Sequence, residues 1–552
     1  MLRPRTIGEV PEETARIAKA SLPKGNRYIL LRDKLGVIYQ DEQFAELFIW
    51  RGQPAESPGL MAMVTVMQFA EGLTDRQAAE AVGSRIDWKY VLGLEIDAPA
   101  ISHSILSEFR DRLLAGSQEQ LLLDVLVSHL DQQGWLKGRK RQRTDSTHVL
   151  AVVRDLNRLE FVGETLRAAL NDLATVVPDW LGQQVGADWF DLYGPRFENY
   201  RLPQPEAKRL ALHQRIGQDG YQLLTALYAP TSPTWLVEIP SVQVLRQVWI
   251  QQYYRQDDQV YLRTPQQYGQ PVSHLLIRSP YDPEARNRTK RETNWTGYAV
   301  HLTETCLPDQ PNLITHCVTT PATTFDGQVT ASIHQALATK GLLPEEHLVD
   351  TAYVDADLIW LSQKEHQLDL IGPLPANTTW QAKDEQAYDL SCFAIDWDRQ
   401  KVTCPQGQQA IDWHPYLNPQ GTAVITVQFS RVACRTCDQR VRCTKSDDLP
   451  RKLTFRPQDQ FQVLQLARQR QQTQTFKDQY KQRAGIEGTI SQAVRVADIR
   501  YARYAGLAKT HLQHVATAAG INLARITTWL MEIPKAQTRS SPFLRLKPSF
   551  LT

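Results

Sequence analysis

Between residues 41 and 130 apolar positions recur at three- and four-residue spacing, in QFAELFIW, LMAMVTVMQFAEGL and SILSEFRDRLL, and predict amphipathic helices. Within that run LTDRQAAEAVG (73–83) reads as a capped helix ended by Gly83, and ISHSILSEFRDRL (101–113) follows a connector containing Pro99. The pair is open to two readings, a helix-turn-helix or a plain helical bundle. Residues 156–270 again read as helical, punctuated by Pro178, Pro195, Pro203, Pro205, Pro230, Pro233 and Pro240. The pattern then changes. TGYAVHLTET (296–305) and NLITHCVTTPATT (312–324) predict two strands around the loop CLPDQP. GQVTASIHQALATKG (327–341) predicts a helix with a glycine C-cap, and EEHLVDTAYVD (345–355) a buried strand followed by a loop. ADLIWLSQKEH reads as a helix and LDLIGPL as another buried strand, so this region alternates as a mixed α/β layer. Residues 376–455 are strand-like, 458–532 are helical, and no internal repeat is visible.

The chain has 552 residues, enough for roughly three or four domains. Its 42% apolar and 22% charged residues are those of an ordinary soluble protein rather than a disordered or fibrous one. The N-terminus has no apolar core of signal-peptide length, and VATAAGINLARITTWLM (515–531), the nearest thing to a membrane span, is interrupted by Asn522 and Arg525. Seven cysteines, an odd number in a long chain, argue against a secreted disulfide framework, and a cytoplasmic protein is expected. The net charge of +2 is uninformative, but charge is unevenly placed. KGRKRQR (137–143) holds five basic residues and no acidic one, and 461–510 holds nine basic against three acidic. Such blocks suit a polyanion partner or, more plainly, a solvated face.

Beside the first block, RQRTDSTHVLAVV (141–153) places Asp145 at the start of strand-forming residues. A turn aspartate balancing the loop is the plain reading. A metal ligand beside a phosphate-binding surface is the sharper one. Asp350 ends the apolar strand HLVD, a favourable place for a site in an α/β sheet, although a helix or turn cap explains it too. Glu487 lies on a predicted helix, YKQRAGIEGTISQAVR, with Tyr480 and Arg483 on the same face. An Arg483–Glu487 salt bridge, worth about a few tenths of a kcal/mol, is the alternative there. As a set, two aspartates on separate strands and a glutamate on a later helix could hold two hard divalent cations. Such a pair, roughly 3.5–4 Å apart, serves in-line displacement at phosphorus.

Blocks from nearly the whole chain resemble one family, the bacterial insertion-sequence transposases of the DDE type. They are RGQPAESPGLMAMVTVMQFAEGLTDRQAAEAV (51–82), RTDSTHVLAVVRDLNRLE (143–160), SPYDPEARNRTKRETNWTGYAVHLTETC (279–306), LVDTAYVDADL (348–358), YKQRAGIEGTISQAVR, and RYAGLAKTHLQHVATAAGINLARI (503–526). The resemblance implies an α/β, α+β multidomain protein with a ribonuclease-H-like mixed-sheet core. It would have a helical N-terminal DNA-end-binding domain (1–136), a first core strand (137–155), a helical insertion (156–275), the rest of the core (276–375), a strand-rich cysteine-containing insertion (376–455) and a C-terminal helical part (456–552). It implies Asp145, Asp350 and Glu487 as catalytic ligands of Mg2+ or Mn2+. Tyr480 and Arg483 match the Tyr-x-x-Arg-x-x-x-Glu signature expected to help order a transposon end. Double-stranded DNA, both transposon ends and target, is the implied partner, with a homodimer in the synaptic complex near the nucleoid. Arg139, Lys140, Arg141, Arg143, Arg495, Arg503 and Lys509 join Tyr480 and Arg483 as candidate DNA contacts. One departure stands out: the related signature has a lysine seven residues after the glutamate, where this chain has Val494, and the adjacent Arg495 lies about 100° further round a helix.

Cys404, Cys434, Cys437 and Cys443 are spaced C-x29-C-x2-C-x5-C, open to a structural Zn2+ site or to reduced structural thiols. Cys306, Cys317 and Cys392 are expected to be buried thiols. Three functions compete: a DNA transposase, a nuclease with the same core but no strand transfer, and a non-catalytic DNA-binding repressor.

Overall fold

The computed structural model describes residues 4, 6–48, 55–136, 140–419, 421–534, 543 and 546, so Arg139 lies outside the described residues. It divides into two compact units. The first comprises Met1–Lys137, Ser146–Thr324 and Gly488–Thr552, and the second Gly138–Asp145 with Phe325–Glu487. The described strands are β1 (Arg141–Leu150), β2 (Tyr253–Gln256), β3 (Gln259–Leu262), β4 (Arg286–Lys290), β5 (Thr293–Thr305), β6 (Ile314–Pro321), β7 (Glu346–Leu348), β8 (Asp369–Ile371), β9 (Ala394–Asp396), β10 (Lys401–Thr403), β11 (His414–Leu417), β12 (Ala423–Gln428) and β13 (Lys452–Phe455). No helix among the described residues is long and apolar enough to cross a membrane.

In the first unit, the helix Pro58–Glu71 is buried along most of its length, opened by the Ser57 cap and Pro58 and closed by Gly72 in the left-handed region. The long helix Leu507–Leu530 shows why its two polar interruptions are tolerated. Asn522, fully buried, donates to the Ile314 carbonyl at 2.8 Å and accepts from the Ile314 N–H at 2.7 Å, so its amide completes the backbone of β6. Arg525 pairs with the buried Glu304 of β5 at 2.6 Å and also donates to Thr489.

The helix-turn-helix reading fails here. Asp75–Ser84 and His103–Ala115 are separated by a further helix, Ile86–Leu92. Gly83 does not end its helix either; a Cβ there would stand 2.7 Å from the Ala100 backbone nitrogen, so the glycine admits a close crossing. Arg110 is buried and pairs with Asp75 at 2.6 Å, which makes this a packed helical bundle. The hairpin β2–β3 and the strand β4 were not expected from the sequence. Asp257 and Asp258 both take positive φ between β2 and β3, as a two-residue hairpin turn demands. The strand β4, RNRTK, is too polar to show an alternating pattern, yet pairs antiparallel with β5, which also pairs antiparallel with β6. The later part of β1 runs beside β5, where the Ala151 N–H donates to the Thr296 carbonyl at 3.0 Å.

In the second unit, the first residues of β1 pair parallel with β7, and β7 pairs parallel with β8. Helices Asp326–Thr339 and Ala356–His366 pack together in this unit. The cysteine-containing segment forms a β9–β10 pair and an antiparallel sheet β11–β12–β13 around Phe393, Val402, Val427, Phe429 and Leu453. The mixed α/β architecture is compatible with a ribonuclease-H-like core carrying helical and strand-rich insertions.

A buried chain of polar side chains underlies β1. His347 contacts Thr144 Oγ1 through Nε2 at 2.7 Å and His334 through Nδ1 at 2.8 Å, and His334 reaches Ser362 at 3.3 Å. Burial pushes both histidines below their usual pKa, as it does His514, to about 3, and His213, to about 4. A depressed histidine stabilises the fold fully above its unfolded pKa of about 6.5, and that stability is lost as pH falls towards the folded value, with about 1.4 kcal/mol at stake for each pH unit between the two. Thermal unfolding from pH 8 to pH 4 is therefore expected to hold a constant midpoint down to about pH 6.5 and then to drop. A midpoint unchanged at pH 5 contradicts the neutral buried histidines.

Candidate catalytic site

The register of β1 on β7 aligns the segments that lead to the first two carboxylates. Arg141 is opposite Glu346, Gln142 opposite His347 and Arg143 opposite Leu348, an offset of 205. Asp145 and Asp350 each lie two residues beyond the last paired residues, Arg143 and Leu348. Adjacent strands lie about 4.8 Å apart and side chains alternate, so Asp145 shares a face with Arg143 while Thr144 turns to His347 on the other. Asp145 is mid-strand rather than in a turn. Asp350 does cap a turn, accepting the Ala352 N–H on Oδ1 at 2.8 Å, so the plain reading of that residue is realised without excluding the other.

The third carboxylate arrives on a broken helix. Tyr480 lies in Gln474–Lys481, Arg483 in the 3-10 turn Gln482–Ala484 and Glu487 in the first turn of Gly485–Ala497. This corrects the expectation of a single helix face, although the Arg483–Glu487 contact survives the break. Arg483 Nη2 donates to Asp145 Oδ2 at 2.5 Å and Nη1 to Glu487 Oε1 at 3.0 Å. One guanidinium thus bridges two of the three acids. Burial works against its charge, but Asp145, Tyr480, Asp350 and Glu487 outweigh that and raise its pKa. Tyr480, stacked on Phe476, is shifted up by burial, with Arg483 opposing and the same three carboxylates adding to the rise. Arg483 and Tyr480 are therefore each within electrostatic reach of all three carboxylates. The Glu487 side chain is 65% exposed against 15% for Asp145.

The sequence did not reveal what holds this turn in place. Arg141 pairs with Glu346 and donates from Nη1 to Gln482 Oε1 at 3.0 Å; the buried Arg143 donates to the Gln482 carbonyl. Arg143 also passes over Gly485, where a Cβ would meet its Nη1 at 2.1 Å. Two arginines expected to grip phosphate are thus spent on seating the segment that carries Arg483 and Glu487. The glycine two residues before Glu487 was the only hint of that approach in the sequence. Lys140 remains outward, 70% exposed and 3.6 Å from Glu345. Arg503 is turned inward, donating to the Leu73 carbonyl at 3.1 Å and lying over the Phe69 ring. Arg495 and Lys509 are exposed.

Among the described residues, no three His, Cys, Asp or Glu side chains stand ready to chelate an ion as they are placed. The cysteines are all thiols. Cys306 and Cys317 are buried as expected, whereas Cys392 is exposed because it lies in a short surface turn beside Asp389. Cys404, Cys434, Cys437 and Cys443 line one cavity.

Comparison with protein families gives two matches. A family described as a transposase DDE domain matches residues 403–527, a span that includes Tyr480, Arg483 and Glu487 but neither Asp145 nor Asp350. A family described as a transposase domain matches residues 16–112, within the N-terminal helices. No curated protein matches the chain. The chain is thus similar to a transposase domain over residues 16–112 and to a transposase DDE domain over residues 403–527.

Proposed function

We propose that this protein is a DNA transposase that binds the terminal inverted repeats of an insertion sequence, cleaves the ends and joins them to target DNA. The observation that carries the reading is the Arg483 bridge from Asp145 to Glu487, with Asp350 also acting on the same guanidinium. Three carboxylates around one guanidinium, which is hydrogen-bonded to two of them, fit a further positive charge, and their all-oxygen donor set suits Mg2+ or Mn2+. Asp145, Asp350 and Glu487 would hold these ions. When bound, a pair of them would activate the attacking water or 3′ hydroxyl and stabilise the leaving oxygen.

The chain's own groups have separable tasks in this reading. Asp145 and Asp350, fixed by β1 and the end of β7, set the rigid side of the site. Glu487 closes it from the helix. Arg483, released from its carboxylates, presents a planar fork that matches a phosphate. Tyr480 offers a ring for an unpaired base beside it. Two ends must be held together for joining, so a dimer is proposed for the synaptic complex.

The test is incubation of the purified protein with duplexes carrying the inverted repeats that flank its own gene, with Mg2+ or Mn2+ and a target plasmid. Cut ends and joined products support the proposal. Cutting without joining identifies a nuclease, and binding without cutting a repressor.

Exposed Lys140, Arg495 and Lys509 remain proposed phosphate contacts. Replacing all three by glutamine is expected to weaken end binding and to lower the log–log salt slope by up to about 0.9 for each phosphate no longer neutralised. An unchanged slope in a binding titration from low to high salt shows them to be solvated charges only.

A further inference from the structure

The strand-rich module of the second unit contains a cluster that the proposed chemistry does not use. Cys404 follows β10, Cys434 sits in the short helix Arg431–Arg435, Cys437 lies in the turn after it, and Cys443 ends the helix Arg440–Cys443. All four are half-buried and line a single cavity together with Arg440 and Arg451. The Gln408 N–H points at Cys404 Sγ at 3.3 Å, an amide contact that strengthens when the sulfur is ionised.

The two arginines are the second observation. Arg440 Nη1 and Arg451 Nε are buried and have no hydrogen-bond partner, while Arg451 Nη1 donates to the Cys443 carbonyl at 2.8 Å. An unpaired buried guanidinium nitrogen is unfavourable, and four neutral thiols offer it only weak acceptors. Four thiolates around a divalent ion change that. Binding releases four protons to solvent and leaves a cluster of charge −2, which two guanidinium ions bring to zero. Tetrahedral coordination by four sulfurs suits zinc, or an iron–sulfur centre.

We infer that Cys404, Cys434, Cys437 and Cys443 bind one structural Zn2+ as thiolates, and that Arg440 and Arg451 neutralise the resulting cluster. The ion ties the turn after β10 to the two short helices that lie between β12 and β13. It is separate from the carboxylate site and does not depend on the transposase reading.

Elemental analysis of the full-length protein, purified after growth with added zinc, is expected to give one zinc per chain and no iron. Titration of that protein with an organomercurial should release the zinc as four thiols react, a readout that requires no variant to fold. Cys404→Ser and Cys437→Ser are expected to retain less than about a tenth of the metal. Asp145→Asn should leave the zinc content unchanged, which separates this site from the catalytic one. In the double variant Arg440→Gln, Arg451→Gln, chelator competition should show zinc held about 10- to 100-fold more weakly, the usual effect of losing outer partners. A protein without zinc, iron in its place, or zinc retained in Cys404→Ser would overturn the site. Unaltered zinc affinity in the arginine variant would overturn their role.

Discussion

Asp145→Asn, Asp350→Asn and Glu487→Gln are each expected to reduce end cleavage by at least about 100-fold, more than the loss of a single outer-layer partner costs. Each amide keeps the size of the acid and removes only the charge that a divalent cation requires. At Asp145 and Glu487 the amide oxygen still accepts from Arg483, so the turn Gln482–Ala484 should remain seated by Arg141 and Arg143. DNA binding should accordingly stay within a few-fold of wild type, since phosphate is held by cations. Parallel cleavage and gel-shift measurements on the three variants separate the two effects. Near-normal cleavage by any one of them removes that residue from the catalytic set.

The largest effect on stability is expected in the first unit, at Arg525→Met. Glu304 is fully buried on β5, and Arg525 both neutralises it at 2.6 Å and donates to the Asn312 carbonyl and Thr489. Removing one partner of such a buried pair costs about 3–5 kcal/mol. The double variant Glu304→Gln, Arg525→Met removes both charges and should recover a substantial part of that loss. Urea unfolding of the wild type, the single and the double variant decides it. A single variant within about 1 kcal/mol of wild type would show that other groups at Glu304 suffice.

Elements with a strong pattern were legible in the sequence: the helix Pro58–Glu71 with its proline start and glycine stop, the paired strands β5 and β6, and the short buried strands β7 and β8. The hairpin β2–β3 was hidden because its turn is Asp257–Asp258 rather than a glycine pair, and β4 because a polar strand carries no alternation. Residues 75–115 misled for another reason. Two helices separated by a proline connector look alike in sequence whether or not a third lies between them.

The candidate site could be proposed from the sequence as chemistry but not as mechanics. Asp145, Asp350 and Glu487 could be proposed as a set by context: one beside a basic run, one at the end of an apolar strand and one on a helix. The tasks of Arg141 and Arg143 could not, because a basic run reads alike whether it faces solvent or folds inward. Only the register of β1 on β7 and the closeness of Gly485 to Arg143 reveal that these arginines seat the segment delivering Glu487. The convergence of four cysteines on two incompletely bonded arginines was likewise beyond spacing alone.

That Asp145, Asp350 and Glu487 share one divalent-cation site can be tested without any DNA substrate. Fe2+ bound in place of Mg2+, with ascorbate and peroxide, generates hydroxyl radicals that cut the polypeptide close to the ion. Mapping the fragments by mass spectrometry is expected to show cuts clustered around residues 145, 350 and 487 together, suppressed by excess Mg2+ and absent from Asp145→Asn. Cuts confined to one of the three stretches, or a pattern that Asp145→Asn leaves unaltered, would contradict a shared site.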